Sequence, residues 1–349
     1  NESEAIISEN GMAYSPEIIK SIVGSIHKKI GLHCTYGEQN IKKLPFYTDV
    51  SGAVLYHHEN ADGTGTFGKR WDEIPLFARI IHLCDMVDVM GNSCDFSGES
   101  WIRAKEYVCR NRNILFDSEC ADAFLEVFSE ENFVSMSQDR FEDELWKKIP
   151  RDKRDCDFET CKGIADFFAG IVDYKSEFTG KHSLGVAKKA AELAEYMGYS
   201  QADIEKFYMA GALHDIGKMA IGNEILEKPG RLTDEEFSRM KNHAGYTYMI
   251  LSEVKDFDEV RDWAALHHEK LDGTGYPFGK KAEELNEPER LMACVDIYQA
   301  LTEARPYKSG MSHDKACSIL EDMVQKGWID AAVTDKLRSC FDVGGRDMV

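Results

Sequence analysis

The spacing of apolar and polar residues predicts helices along most of the chain. In residues 233–254 apolar side chains recur at helical spacing, and Thr233 followed by Glu236 is the capping-box signature of a helix start. A second helical pattern covers residues 288–304, where Pro288 is expected at the first helical position. Because no sustained strand alternation interrupts these patterns, we predict an all-α fold.

Two stretches of the chain share one motif. HHENADGTGTF (residues 57–67) and HHEKLDGTGYP (residues 267–277) both contain two histidines, a glutamate and then Asp-Gly-Thr-Gly. The similarity continues on both sides of the motif, which makes chance resemblance between two helical segments a poor explanation. We therefore predict two related helical bundles in tandem, with the first at residues 1–128, a charged linker at 129–160 and the second at 161–349.

The charge and hydropathy of the chain exclude two classes of partner. Its 349 residues carry a formal net charge of −20, which opposes binding to a nucleic-acid polymer or to an anionic lipid surface. The chain has no apolar run of roughly 18 residues, so no membrane span is predicted, and residues 1–20 lack a signal-peptide profile. We expect a cytoplasmic protein in which metal ions, or a few Lys and Arg side chains, meet any anionic substrate.

Histidine and aspartate residues of the second copy form a candidate metal site. His214 and Asp215 are adjacent in ALHDIGK, and imidazole with carboxylate is a ligand set suited to first-row transition ions. Neighbouring residues on a helix point about 100° apart, so His267 and His268 would serve different ions or different roles. The candidate ligands suffice for two ions with open positions: His182, His214, Asp215, His243, His267, His268 and Asp296.

The ordered motifs of residues 161–341 resemble the HD-GYP branch of the HD-domain phosphohydrolase superfamily. The resemblance rests on His182, HDIGK, ILEKPGRLTDEEFSRMKNH, HHEKLDGTGYP, Asp296 and ARPYK. It implies a fold of two HD-domain helical bundles in tandem. It also implies a bacterial metal-dependent phosphodiesterase that hydrolyses a cyclic dinucleotide, either cyclic di-GMP or 3′,3′-cyclic GMP-AMP.

The resemblance implies a role for each motif residue. Asp215 would be a bridging carboxylate within the basic metal set of His182, His214, Asp215 and Asp296, while His243, His267 and His268 would supply the further metal. Catalysis would use His214, Asp215 and Lys218. Phosphate contacts would come from Lys218, Arg305 and Lys308, and Tyr276 and Pro277 would shape the pocket floor.

The resemblance also bears on the identity and number of the metals. Iron or manganese is the metal that the family implies. Members with three metals carry a glutamate one helical turn before the first histidine, where this chain has Phe178. We therefore expect two divalent ions, although the neighbouring Glu177 could substitute if the local register shifts.

The chemistry of a phosphodiester is consistent with this assignment. Two ions about 3.5 to 4 Å apart lower the pKa of a bridging water and clamp the phosphate, and Lys218 would add positive charge as the transition state forms. Two other functions stay open. One is an HD phosphohydrolase that acts on another nucleotide, and the other is a non-catalytic module that binds a cyclic dinucleotide in signalling.

The first copy retains only part of the site. His57, His58 and Asp85 are present, but Thr66 and Phe67 stand where the second copy has Tyr-Pro. Counting along the repeat, the His-Asp pair would fall before residue 1, and Ser25 would face the position of His243, with His27 close by and an insertion following. We predict a degenerate domain kept for packing, regulation or dimerisation, so that a homodimer or a regulatory partner would form through it.

Overall fold

The structure is a computed structural model that describes residues 16–90, 97–136, 145–147, 149, 156–175, 182–228, 230–304 and 309–342. Two units divide the chain: unit 1 is Asn1–Asp155 and unit 2 is Cys156–Val349. Within the described ranges the regular structure is helical, with isolated bridges but no β-strand, so the all-α prediction is confirmed. No helix in these ranges has the length and apolar content needed to cross a membrane.

The helices of unit 1 from Leu76 to Ser135 pack around an aromatic core. Trp101 packs against Phe124 and Phe133, with ring centroids 6.1 and 5.6 Å away. Burial of each such side chain stabilises the unit by about 1.5 to 3 kcal/mol. The helices are α1 (Pro16–Ile41), α2 (Leu76–Met90), α3 (Gly98–Arg110), α4 (Ser118–Val127) and α5 (Glu130–Ser135).

Unit 2 has a larger core, in which Phe207 stacks on Trp263 at a centroid distance of 4.4 Å. Both side chains are buried, and Leu193, Leu291 and Leu337 lie fully buried in the same cluster. Its helices are α6 (Phe158–Lys175), α7 (His182–Tyr196), α8 (Gln201–Leu213), α9 (Asn223–Leu226), α10 (Asp234–Ser252), α11 (Asp258–Ala265), α12 (Glu287–Thr302), α13 (His313–Gln325) and α14 (Ala331–Phe341).

Two helix starts in unit 2 test the sequence-based predictions directly. The capping box at the start of α10 is confirmed: Glu236 N–H donates to Thr233 Oγ1, and Thr233 N–H donates to the Glu236 carboxylate at 2.7 Å. The prediction for Pro288 was wrong by one residue. Asn286 caps α12 and the helix begins at Glu287, because the Asn286 side chain accepts the backbone N–H of Glu289.

Candidate metal centre

The His214–Asp215 pair lies in a tight turn at the end of α8. A 3₁₀ turn, Ile216–Ala220, follows and runs against α10. Thr247 of α10 fixes this turn, since its hydroxyl donates to the carbonyl of His214 at 2.9 Å and accepts the N–H of Gly217 at 3.0 Å. A Cβ atom at Gly217 would lie 2.0 Å from the carbonyl oxygen of His243, so only glycine allows this approach. The turn and α10 thereby bring Asp215 to His243.

The second histidine pair is held by the loop that follows it. The carboxylate of Glu269 accepts the backbone N–H groups of Phe278 and Lys280 at 2.7 and 3.0 Å. Gly275 lies against this glutamate, because a Cβ atom there would be 2.5 Å from the Glu269 Cα. The glutamate of the HHE motif is therefore a residue that orders the loop. In unit 1, Glu59 accepts the N–H groups of Phe67 and Lys69 in the same way.

All seven predicted metal ligands converge in unit 2. They form three overlapping groups, and within each group one ligand atom from every residue lies within 4.8 Å of the others. His268 is partly exposed, and the other members are buried. The groups are His182, His214 and Asp296; His214, Asp215 and His267; and His243, His267 and His268.

Asp215 lies between two sets of ligands. The first set is His182, His214 and Asp296, and the second is His243, His267 and His268. Its Oδ2 atom is 3.2 Å from His214 Nε2, and its Oδ1 atom is 3.3 Å from His243 Nε2. Asp296 closes the first set, because its Oδ1 atom is 3.2 Å from His182 Nε2 and 3.7 Å from His214 Nε2. One carboxylate thus presents one oxygen to each set, which is the arrangement of a bridging ligand.

The imidazoles are oriented so that Nε2 faces the centre. Nδ1 of His214, His243 and His267 donates to the carbonyls of Gly211, Met240 and Ala264 at 2.8, 2.7 and 2.6 Å, respectively. These bonds fix the tautomer and leave the Nε2 lone pair available, as in metal sites. In the described part of the chain, Nε2 of His243 and His267 is buried without a hydrogen-bond partner. The donor set therefore fits metal ions.

The charge states of the side chains also suit metal binding. Burial and the neighbouring imidazoles hold the pKa of His267 well below its usual value and lower the pKa of His268 to about 4, so both are neutral ligands near pH 7. Burial opposes ionisation of Asp215, but Lys218 and His214 outweigh it and hold the pKa of that carboxyl well below its usual range. His267 and His268 are thus neutral imidazoles beside an ionised Asp215 carboxylate.

Glu303 supports His182 and was missed by the sequence reasoning. His182 Nδ1 donates to the Glu303 carboxylate at 3.0 Å. Burial disfavours a charged His182, but the bonds to Asp296 and Glu303 raise its pKa to about 10. Glu303 is the C-cap residue of α12 and follows Asp296 by seven residues, which is about two helical turns. That spacing is compatible with a contact to His182, but a carboxylate two turns further along the helix does not by itself identify one.

We expect Glu303→Gln to weaken metal binding by roughly 10- to 100-fold, the usual effect of losing the carboxylate that orients a ligating histidine. The glutamine preserves the shape but no longer offers an anion to His182 Nδ1–H. The measurement is metal bound per chain across a titration, with the exposed Glu283→Gln as the matched control. Unchanged metal affinity would show that Glu303 does not orient His182.

The predicted substrate-binding residues are only partly described. Lys218 Nζ lies 2.5 Å from Asp215 Oδ2, so the lysine pairs with the carboxylate of the HD motif. The Tyr276 ring lies 4.7 Å from that of His268, and Lys241 Nζ, which the sequence reasoning missed, is 5.7 Å from the Tyr276 ring. Pro277 packs beside α10, 3.9 Å from a Cβ built at Gly245. The predictions for Arg305, Lys308, Phe178 and Glu177 concern positions outside the described residues.

The first copy differs from its prediction at the counterpart of His243. His33 of α1, and not the predicted Ser25, is the counterpart, because His33 lies beside the histidine pair, 5.3 Å from the His57 ring and 5.9 Å from the His58 ring. The side chains of Ser25 and His27 lie outside the described part of the chain. His33 precedes His57 by 24 residues, the same spacing that separates His243 from His267. The extra residues therefore come before this histidine, and counting back from the pair would have found it.

Comparisons with known proteins agree with this geometry. The profile of the family described as HD domain matches residues 25–113 and 166–333. The 3'3'-cGAMP-specific phosphodiesterase 1 of Vibrio cholerae is 30% identical over 340 residues, which cover 95% of this chain and 78% of that protein. A cyclic di-GMP phosphodiesterase of Vibrio cholerae is 40% identical over 167 residues, 44% of this chain and 34% of that protein.

A solved structure extends the similarity to the fold. The crystal structure of a cyclic GMP-AMP specific phosphodiesterase from V. cholerae matches with a TM-score of 0.57 and 26% sequence identity. The match covers 98% of this chain and 81% of that chain. With both repeats inside one family profile and the HHEKLDGTGYP motif intact, the chain belongs to the HD domain family, in its HD-GYP branch.

Proposed function

We propose that this chain is a metal-dependent phosphodiesterase that hydrolyses a cyclic dinucleotide to its linear product, with the reaction in unit 2. The observation that carries the proposal is Asp215, whose two oxygens face two separate sets of histidines. One relative aligns with 95% of the chain and another with 44%, and both are named as phosphodiesterases of cyclic dinucleotides, which supports the substrate class.

His182, His214 and Asp296 would hold one divalent ion, and His243, His267 and His268 the other, with Asp215 between them. Two such ions would activate a water molecule for attack on phosphorus and neutralise the phosphoryl oxygens. Iron or manganese, and a count of two, are our proposals for the metal. Imidazole suits iron and carboxylate suits manganese, so the mixed donor set is compatible with either ion.

The residues around the ligands would position an anionic substrate in a chain of net charge −20. Lys218 is 13% exposed and lies at the centre, where its ammonium group would approach a phosphoryl oxygen while it stays close to Asp215. Tyr276, whose ring is tilted against that of His268, would form one wall of the pocket with Pro277. We also propose Arg305 and Lys308 as phosphate contacts, from their motif alone.

A side-by-side hydrolysis assay tests the function. We expect the chain loaded with Fe²⁺ or Mn²⁺ to convert 3′,3′-cyclic GMP-AMP or cyclic di-GMP to linear dinucleotide, measured by chromatography. Cyclic GMP-AMP is our first candidate, because the named relative that aligns with 95% of the chain is specific for it. Faster hydrolysis of a mononucleotide would indicate a different HD phosphohydrolase. Tight binding without product at any metal loading would indicate a signalling module.

Several further predictions concern the whole protein. We propose that residues 161–349 form the catalytic domain, that 129–160 is a linker and that the domain at 1–128 is degenerate. A cytoplasmic location, and a homodimer or regulatory partner formed through the first domain, also stay predictions.

A further inference from the structure

Three histidines of unit 1 form a cluster with the same arrangement as one half of the centre in unit 2. The ring centroids are 5.3 Å apart for His33 and His57, 5.9 Å for His33 and His58, and 4.1 Å for His57 and His58. The corresponding distances among His243, His267 and His268 are 5.6, 5.1 and 4.0 Å. Each distance agrees with its counterpart to within about 1 Å, so unit 1 retains a complete three-histidine set.

The donor atoms of this cluster are arranged for a ligand. One ring nitrogen from each histidine lies within 4.8 Å of the others. His57 Nδ1 donates to the carbonyl of Val54 at 2.5 Å, as His267 Nδ1 does to Ala264 in unit 2, which leaves Nε2 of His57 as its ligand atom. Nδ1 of His58 is buried without a hydrogen-bond partner among the described residues.

The loop that presents the histidine pair is also preserved. In unit 1 Asp62 accepts the N–H and hydroxyl of Thr64 at 3.0 and 2.6 Å, and in unit 2 Asp272 accepts those of Thr274 at 2.9 and 2.7 Å. The loop after the histidine pair therefore has the same local hydrogen bonds in both units.

Outside the histidines and the Asp-Gly-Thr-Gly loop, the motifs of the two units differ. No His-Asp dipeptide occurs in residues 1–155, and Thr66 and Phe67 replace Tyr276 and Pro277. Among the described residues of unit 1, the three histidines form a group whose ligands suffice for one ion.

We propose that His33, His57 and His58 bind one divalent transition-metal ion in unit 1. Three imidazole ligands suit Zn²⁺, Cu²⁺, Ni²⁺ or Fe²⁺, whereas Mg²⁺ and Ca²⁺ require oxygen ligands. The ion would link α1 to the HHE loop, and water would complete its coordination, since His33 is exposed. The expected consequence is stabilisation of unit 1 by ligand binding to its folded state.

The test counts metal ions in the full chain. In a His214→Ala, Asp215→Asn, His267→Ala background, which removes a ligand from every candidate group of unit 2, we expect Co²⁺ to bind with about one equivalent per chain and a visible absorption band. Adding His33→Ala should remove both the equivalent and the band. Gln39→Ala, an exposed change on the same helix α1, is the matched control and should keep them.

Thermal unfolding gives an independent readout. Zn²⁺ should raise the unfolding temperature of the background protein and of Gln39→Ala, but not that of His33→Ala. Because His33 is exposed, its replacement should leave the metal-free unfolding temperature unchanged; if it does not, His58→Ala serves as the second variant. Equal Co²⁺ binding and an equal Zn²⁺ shift in the histidine variants and the control would overturn the proposal.

Discussion

Replacement of Asp215 by asparagine is expected to lower turnover by about 10³-fold or more, a loss of ~4 kcal/mol of transition-state stabilisation. The Asp215 carboxylate places one oxygen 3.2 Å from His214 Nε2 and the other 3.3 Å from His243 Nε2. Asparagine keeps the shape but offers one neutral oxygen and an NH₂ group that cannot ligate a metal. Lys218 also loses the negative charge beside its ammonium group.

The measurement is kcat for the preferred cyclic dinucleotide together with the metal content of the same preparation. We expect fewer bound ions in Asp215→Asn than in the unchanged chain, since both sets of histidines lose a shared ligand. Asp258→Asn, an exposed carboxylate of α11, is the control and should leave both quantities unchanged. A variant that keeps both ions and turns over within about tenfold of the unchanged chain would contradict a bridging role.

Local sequence signals were sufficient to predict that these segments are helices, but not to predict the first residue of every helix. The Thr233–Glu236 pair predicts the start of α10 because both hydrogen bonds of a capping box form within four residues. Pro288 was predicted as the first residue of α12 but is its second. Proline is tolerated at several positions of the first turn, because the backbone N–H groups there have no helical partner. The Asn286 side chain decides the start of α12.

The seven residues of the centre could be identified from their order and types, but the residues that support them could not. Glu303 contacts His182 across 121 positions, and Thr247 contacts His214 across 33. Such contacts are created by the packing of helices and leave no local pattern. His33 was missed because α1 contains an insertion. The insertion changes the number of residues between the helix start and His33, but not the number between His33 and His57.

Gly217→Ala is expected to destabilise unit 2 by ~3 kcal/mol and to impair the centre at the same time. A Cβ atom there would lie 2.0 Å from the carbonyl oxygen of His243 and 2.5 Å from the backbone nitrogen of Thr247. Both are main-chain atoms of α10, so the clash can be relieved only by moving the HD turn away from the helix. That movement separates Asp215 from His243 and breaks the bonds to Thr247.

Gly245→Ala distinguishes this clash from a general effect of adding a methyl group. Gly245 lies inside α10, and its added Cβ would meet only ordinary contact, 3.9 Å from Pro277. Alanine is favoured over glycine in a helix interior, so this variant should be more stable by up to ~1 kcal/mol. The free energy of unfolding is measured in urea for both variants, together with their metal content. If α10 and the HD turn are held in contact, it should fall in Gly217→Ala and rise in Gly245→Ala. Equal stability of the two would mean that the turn can shift freely, and that the position of Asp215 is set by the metal ions rather than by the fold.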